Sequence, residues 1–469
     1  MTESRVVDRE VAAQRGVAAD LAALTCLVAA ALVLLLFQQR DAQVAPAYVA
    51  LAATPVVWLL FKGSVGGGSV VRWLLTPAGL LVTFLWVAVL VPPFAWALGL
   101  ATPWETFPRA QTTWVVATAI GLVALVHLGA CIRARPARAV APLEASGGLA
   151  AVLVGVLGVL VAAATILSET TGGLGYLLGN LLERRDLLTG AGPLNAVAAT
   201  AGAAVVASCQ VRMATRAQVV LAAACAAAYL GFLFVLGSRF TMLAFVLAVV
   251  IARTIVGRVP KVLLAVLVVA IVPFSLWYSV SIRRGQLVEP GTAGVRSELR
   301  SAVDPFISTG LDVLNTHAAV ITSPTATWRF DVDLIARNLT TMVPRSLWPG
   351  KPQAFSVEFS ERFFPVQWAR GSGWPPSVLA ESVYVYGVAG AVLVLVALGF
   401  VVAWLGRRMS DSRHVVVRLF YPFLAVDCIG LAKSGSDAFL QQISIHAVGI
   451  GLFLVLCSLV RVRLAVSDG

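Results

Sequence analysis

The chain is 469 residues long, 59% hydrophobic and only 12% charged, with a mean hydropathy of +0.89 and a formal net charge of +12. A soluble globular domain carries about 25% charged residues, so a water-soluble enzyme is excluded. Runs of about 20 apolar residues, the length of a membrane-crossing helix, likewise exclude an outer-membrane barrel, whose strands alternate apolar and polar positions. The basic excess does not point to nucleic acid, because Lys and Arg stand singly in the links between apolar runs rather than in one basic domain.

Taken in chain order, the apolar runs predict helices at 17–37, 44–61, 73–97, 113–132, 147–167, 193–211, 218–236, 240–255, 260–280, 377–405, 414–431 and 439–460. The expected fold is therefore all-α: a polytopic bundle of about 12 transmembrane helices with one large extracytoplasmic loop. It divides into helices 1–9 over 1–280, the loop over 281–376, and helices 10–12 over 377–469. The first run follows a mixed-charge tail and has no small-residue cleavage site of the signal-peptide kind, so it reads as a retained helix.

Positive charge sets the orientation, since short cytoplasmic links hold most Lys and Arg. With the N-terminus inside, the inner links collect Arg5, Arg9, Arg15, Lys62, Arg72, Arg133, Arg135, Arg138, Arg212, Arg216, Arg253, Arg258, Lys261, Arg407, Arg408, Arg413, Arg461 and Arg463. The short outer links hold Arg40, Arg109, Arg184, Arg185, Arg239 and Lys433. Eighteen against six places both termini in the cytoplasm and the long loop outside. The six cysteines all fall inside apolar runs and form no metal-ligand pair, so neither a disulfide framework nor a zinc site is implied.

Chemistry is expected in the loop. Residues 281–376 carry ten basic side chains, Arg283, Arg284, Arg296, Arg300, Arg329, Arg337, Arg345, Lys351, Arg362 and Arg370. A long loop is exempt from the positive-inside bias, so these call for a negative partner, either lipid phosphates or a phosphorylated substrate. Trp328, Phe330, Trp348, Phe355, Phe359, Phe363, Phe364, Trp368 and Trp374 are interleaved with them and suit the headgroup level.

Gly237-Ser238-Arg239-Phe240 fixes an arginine in a tight outer turn, where a guanidinium fork can grip a diphosphate; the plain alternative is an interfacial arginine. Pro376-Ser377-Val378-Leu379-Ala380-Glu381, followed by Tyr384, Tyr386, Gly387 and Gly390, puts a carboxylate about one turn into an outer helix end. A carboxylate there needs a partner or a wet cavity. Lys433 and Asp437 lie in the expected short outer link Lys433-Ser434-Gly435-Ser436-Asp437, where they close the other side of the cavity or, more simply, form a surface ion pair.

In their order and sidedness, the Gly-Ser-Arg turn, the loop with Pro344-Arg345-Ser346-Leu347-Trp348-Pro349-Gly350-Lys351-Pro352, and the Pro-x-Ser-x-Leu-Ala-Glu-x-x-Tyr run ending in Gly-x-x-Gly resemble the O-antigen polymerase (Wzy) family. The resemblance covers about 236–390. It implies a GT-C-type membrane glycosyltransferase of the bacterial cytoplasmic membrane. Such an enzyme moves a growing glycan from an undecaprenyl diphosphate carrier onto a lipid-linked repeat unit, with membrane lipids around it and a partner that sets chain length.

In that scheme the catalytic residues are Glu381 as general base with Arg239 and Arg345, and the substrate-binding residues are Arg337, Arg362, Arg329, Lys351 and His317. His317, Asp331 and Asp333 are reserve bases. Arginines stabilise charge building on the leaving phosphate without metal, so no metal and no cofactor is expected. The related O-antigen ligases carry a histidine ahead of a similar Gly-x-x-Gly helix start, where this chain has Glu381; that departure favours polymerase, with ligase as the near alternative. A transporter or flippase of lipid-linked oligosaccharide is the alternative from another class. Asp427, inside a predicted span, is the residue that speaks for a transporter, unless it makes a helix–helix hydrogen bond.

Overall fold

In the computed structural model the described residues are 70–101, 111–132, 140–145, 148–173, 192–212, 215–236, 239–257, 311–323, 348–369 and 374–466, with isolated positions at 46–60, 176, 337 and 340. The expected spans 17–37 and 260–280, and half of the positions in 44–61, lie outside them. The helices are α1 Val70–Leu74, α2 Pro77–Ala97, α3 Thr112–Cys131, α4 Leu149–Thr170, α5 Gly192–Gln210, α6 Arg216–Leu236, α7 Arg239–Ile255, α8 Val313–Ile321, α9 Phe355–Phe363, α10 Pro365–Ala369, α11 Val378–Ser410 and α12 Val415–Leu459. Two three-residue strands, β1 Leu143–Ala145 and β2 Leu464–Val466, pair antiparallel.

Seven of these helices are long and apolar enough to cross a membrane, and α7 is a shorter apolar one. Many of their large apolar side chains face outward: Leu393 is 74% exposed, Val220 65% and Val161 64%. Apolar surface on that scale does not stay in contact with water, and on helices of spanning length it faces lipid. The protein is a membrane-embedded, mostly helical bundle.

Small residues set the packing. A Cβ on Gly129 of α3 would lie 2.0 Å from the Val396 carbonyl of α11, and one on Gly399 would lie 2.0 Å from the Val126 carbonyl of α3, so these two helices touch backbone to backbone. A Cβ on Gly449 of α12 would lie 2.6 Å from the Ala199 carbonyl carbon of the alanine-rich α5. Without a hydrophobic force between helices in lipid, such close approach supplies much of the association.

Two long helices are broken. Within α11, Gly387 has φ 68° and ψ 173°, and within α12, Gly435 has φ 77° and ψ −173°. α12 folds back on itself at Gly435. Asp427 and His446, 19 residues apart, are hydrogen-bonded at 2.9 Å, whereas a straight helix would separate them by roughly 28 Å. The start and finish of α12 also meet the same link: Arg418 Nη2 donates to Ala141 O at 2.8 Å, and β2 pairs with β1. The expected link over 433–437 is therefore corrected to a single-residue break, because glycine supplies the one conformation a hairpin tip needs.

The basic links gather at one end of the bundle. The 140–145 segment receives Arg212 N at Leu143 O, donates from Val140 N to Ile255 O, and pairs with β2 beside Arg461 and Arg463. Gly406, next to Arg407 and Arg408, rests on Pro77 of α2. At the opposite end stand α8, α9 and the Gly435 tip.

Candidate functional site

The opposite end is built from the first turn of α11. Ser377, in extended conformation, caps the helix by accepting from Ala380 N at 3.2 Å. Ser377 is itself held by the loop helix α8, through Thr316 Oγ1 donating to Ser377 Oγ at 2.9 Å and Ser377 N donating to Thr316 Oγ1 at 3.2 Å. With its own helix end satisfied by serine, Glu381 turns to another.

The Glu381 carboxylate, 7% exposed, accepts from Ser436 N at 2.7 Å and from Ser436 Oγ. It thereby caps the second arm of α12, whose first backbone N–H groups lack intrahelical partners. Gly435 has no room for a side chain, because a Cβ would meet Glu381 Oε2 at 2.6 Å and Pro376 O at 2.9 Å.

Asp437 adds a second carboxylate at that helix start. Its Oδ1 accepts from Ala438 N at 2.7 Å and its Oδ2 from Ser356 N at 3.1 Å, which ties α9 to the tip. Asp437 is only 3% exposed, a correction to the surface setting expected for it. Two carboxylates at a helix N-terminus are favoured by its dipole.

Around this centre the loop supplies cations on an aromatic base. Arg362 is exposed; its Nη1 donates to Tyr384 OH at 2.6 Å and its guanidinium lies 5.5 Å from the Phe363 centroid and 5.6 Å from that of Tyr384. Phe355 and Phe359 pack beneath, at 5.5 and 6.4 Å from the Tyr384 ring. Arg337 pairs with Glu358 of α9, both side chains partly exposed at 37% and 41%. Lys351 is half-buried, its backbone N–H on Trp348 O at 3.1 Å.

His317 departs from expectation. It is fully buried on α8, its Nε2 3.0 Å from Thr118 Oγ1 of α3, and burial pushes its pKa down to about 4. It is a packing residue that docks α8, not a loop-surface group. Arg239 opens α7. Arg345, Arg329, Asp331 and Asp333 fall outside the described residues. The structure thus brings Glu381, Arg362 and the Arg337–Glu358 pair onto one end of the bundle.

No family model matches the chain, and neither a curated protein nor a solved structure matches it. The site is therefore read from its own chemistry.

A carboxylate has about four lone-pair sites, so Glu381 keeps acceptor capacity beyond Ser436. The Arg337–Glu358 pair is exposed enough to exchange partners readily, since such pairs are worth about 0–1 kcal/mol. Among the described residues no group of three or more His, Cys, Asp and Glu side chains could hold a metal ion.

One polar centre was not legible as such. Asp427 and His446 are 4% and 6% exposed and face a cavity also lined by Tyr229, Thr241 and Gln442, with the Phe423 ring stacked on His446 at 4.4 Å. Each residue is visible in the sequence as an ionisable group in an apolar run. Their pairing is not, because a separation of 19 is no helical spacing until the hairpin is known.

Proposed function

We propose that the protein is a glycosyltransferase of bacterial surface polysaccharide synthesis. On this reading it extends a glycan by transfer from an undecaprenyl diphosphate carrier to a lipid-linked repeat unit on the outer face of the cytoplasmic membrane. The end bearing the arginine links faces the cytoplasm, and the loop end faces out. The observation that carries the reading is the folded cap at that outer end, where α9 presents Arg362 on an aromatic base and pairs with Arg337, beside the buried Glu381.

Exposed guanidiniums at the membrane boundary suit the diphosphate of a lipid carrier, whose leaving charge they stabilise. The acceptor hydroxyl then needs one proton acceptor within reach, and Glu381 is assigned to it. The Asp427–His446 pair favours a second reading, a transporter of the same lipid-linked substrate, since ionisable groups inside a membrane often mark a translocation path.

The test is reconstitution in liposomes with undecaprenyl-diphosphate-linked repeat units. A ladder of lengthened lipid-linked glycans is expected. Movement of unlengthened units across the bilayer would instead establish the transporter, and transfer of finished polymer to a different lipid acceptor would establish a ligase.

A further inference from the structure

We propose that the turn joining α11 to α12, at the end opposite the loop, is a binding site for the headgroup of an anionic phospholipid. The turn surrounds an open hollow of about 610 Å³ lined by Trp404, Arg407, Arg408, Asp411, Arg413 and His414. Three guanidiniums face one carboxylate there. None of the three arginines has an ion-pair partner among the described residues.

The hollow is built rather than incidental. Ser410 Oγ donates to Arg407 O at 2.9 Å, Asp411 N to Arg407 O at 3.1 Å, Ser412 N to Met409 O at 3.2 Å, and His414 N to Ser412 Oγ at 3.2 Å. Gly406 and Ser410, one turn apart, are buried against the bundle, and Gly406 rests on Pro77. The arginines are thus carried on a fixed turn.

The outward face of α11 says which phosphate compound fits. Leu393, Ala397, Val401, Trp404 and Arg408 are all exposed and recur every three or four positions, so they form one stripe along the helix. The stripe runs from aliphatic through aromatic to cationic, the order met from acyl chains through the interfacial belt to phosphates. Trp404 lies one turn, roughly 6 Å, inside Arg408, whose guanidinium is 5.9 Å from the Trp404 centroid. A soluble phosphate would use the arginines and leave the stripe idle; a phospholipid uses both. Orientation bias accounts for a number of cations at this end, but not for three unpaired ones around one hollow. Basic pockets between helices at this level bind anionic headgroups.

The experiment uses the purified full chain in mild detergent with phosphatidylglycerol, phosphatidylcholine or inorganic phosphate, reading the thermal midpoint and the lipid retained by mass spectrometry. Phosphatidylglycerol is expected to raise the midpoint and to be retained, and the other two to do neither. Combining Arg407→Gln, Arg408→Gln and Arg413→Gln should weaken phosphatidylglycerol binding roughly a hundredfold, at about fivefold per arginine near a surface. Arg212→Gln with Arg216→Gln, at the same end but outside the hollow, should leave it within about twofold. If the triple variant does not accumulate, Arg408→Gln on its exposed side chain should still lose about fivefold. Equal retention of phosphatidylcholine overturns the site. A midpoint shift by inorganic phosphate as large as that by phosphatidylglycerol overturns the lipid assignment, and equal weakening by the control pair shows diffuse charge and overturns it too.

Discussion

Gly435→Ala tests the hairpin tip most directly. The residue sits at φ 77° and ψ −173°, a region essentially reserved for glycine, where a side chain costs about 1–3 kcal/mol. The added Cβ would also stand 2.9 Å from Pro376 O, a backbone atom, and 2.6 Å from Glu381 Oε2. The carboxylate is the softer neighbour, so it swings aside and gives up at least one of its bonds to Ser436. A hydrogen bond to a charged group is worth about 1.5–3 kcal/mol, which brings the total to about 2.5–6 kcal/mol. Gly155, whose Cβ would meet nothing within 4 Å, is the matched control, and there alanine should be neutral or stabilise by up to about 1 kcal/mol. Reversible unfolding in mixed micelles reads both. In a double-mutant cycle, Glu381→Ala with Gly435→Ala should be less damaging than the sum of the single changes by about 1.5–3 kcal/mol, because the displaced bond is counted twice. Stability of Gly435→Ala within 0.5 kcal/mol of the parent, or strict additivity, would refute the arrangement of Glu381 over the tip.

Other outcomes follow from the same geometry. His317, buried neutral with its pKa near 4 against 6.5 when exposed, makes the docking of α8 acid-sensitive: the undocked state binds the proton first, so stability present above about pH 6.5 is lost on descent toward pH 4. At pH 5 the loss is about 2 kcal/mol, or thirtyfold in local opening. Hydrogen exchange over Val313–Ile321, corrected for intrinsic rate, should show it, and His317→Leu should abolish the pH dependence. Removing one member of the buried Asp427–His446 pair should destabilise by about 3–5 kcal/mol and replacing both with leucine by less; equal losses would mean that the pair is not coupled. On the proposed function, Arg362→Lys keeps charge but loses the fork, and glycan transfer should fall roughly ten- to a hundredfold at normal protein levels. Glu381→Gln that makes normal polymer would remove Glu381 as the base and leave it a helix cap.

Among the described residues hydropathy locates the long apolar helices, because lipid imposes a length and an apolar composition that single runs display. The expected 113–132, 218–236 and 240–255 fall within two residues of Thr112–Cys131, Arg216–Leu236 and Arg239–Ile255. The alternation of basic links was legible for the same reason, and its physical counterpart is the convergence of 140–145, 212, 255 and 464–466 at one end. The breaks were not legible. Gly387 and Gly435 each stand among other glycines in this chain, and only φ distinguishes a hinge from a packing notch such as Gly399. His317 misled because its loop position suggested a wet surface, whereas its burial depends on α8 docking against Thr118, nearly two hundred residues away in sequence. Glu381 stands out by its cost in an apolar setting, which calls for a partner or a wet cavity without saying which. Among the partners seen is the helix start at Ser436, whose positive potential comes from backbone dipoles and leaves no mark in the sequence.

That partnership has a mechanistic consequence. A carboxylate bound to the start of a half-helix is held where the helix begins, so Glu381 and the second arm of α12 move together. The same arm carries His446, joined to Asp427 on the first arm, and Asp437, joined to α9 and so to the loop that bears Arg362. One rigid element therefore connects the candidate base, the polar pair in the bundle and the cationic cap. Helix breaks in membranes persist where neighbouring groups satisfy the freed backbone, and here the groups that do so are the ones the proposed chemistry needs to position. A change at Asp437 that frees α9, such as Asp437→Ala, should accordingly lower transfer by raising KM for the lipid-linked donor more than by lowering kcat, since Glu381 remains seated on Ser436 while the arginine cap loosens. A fall in kcat with KM unchanged would show that Asp437 does not hold the arginine cap in place for the donor.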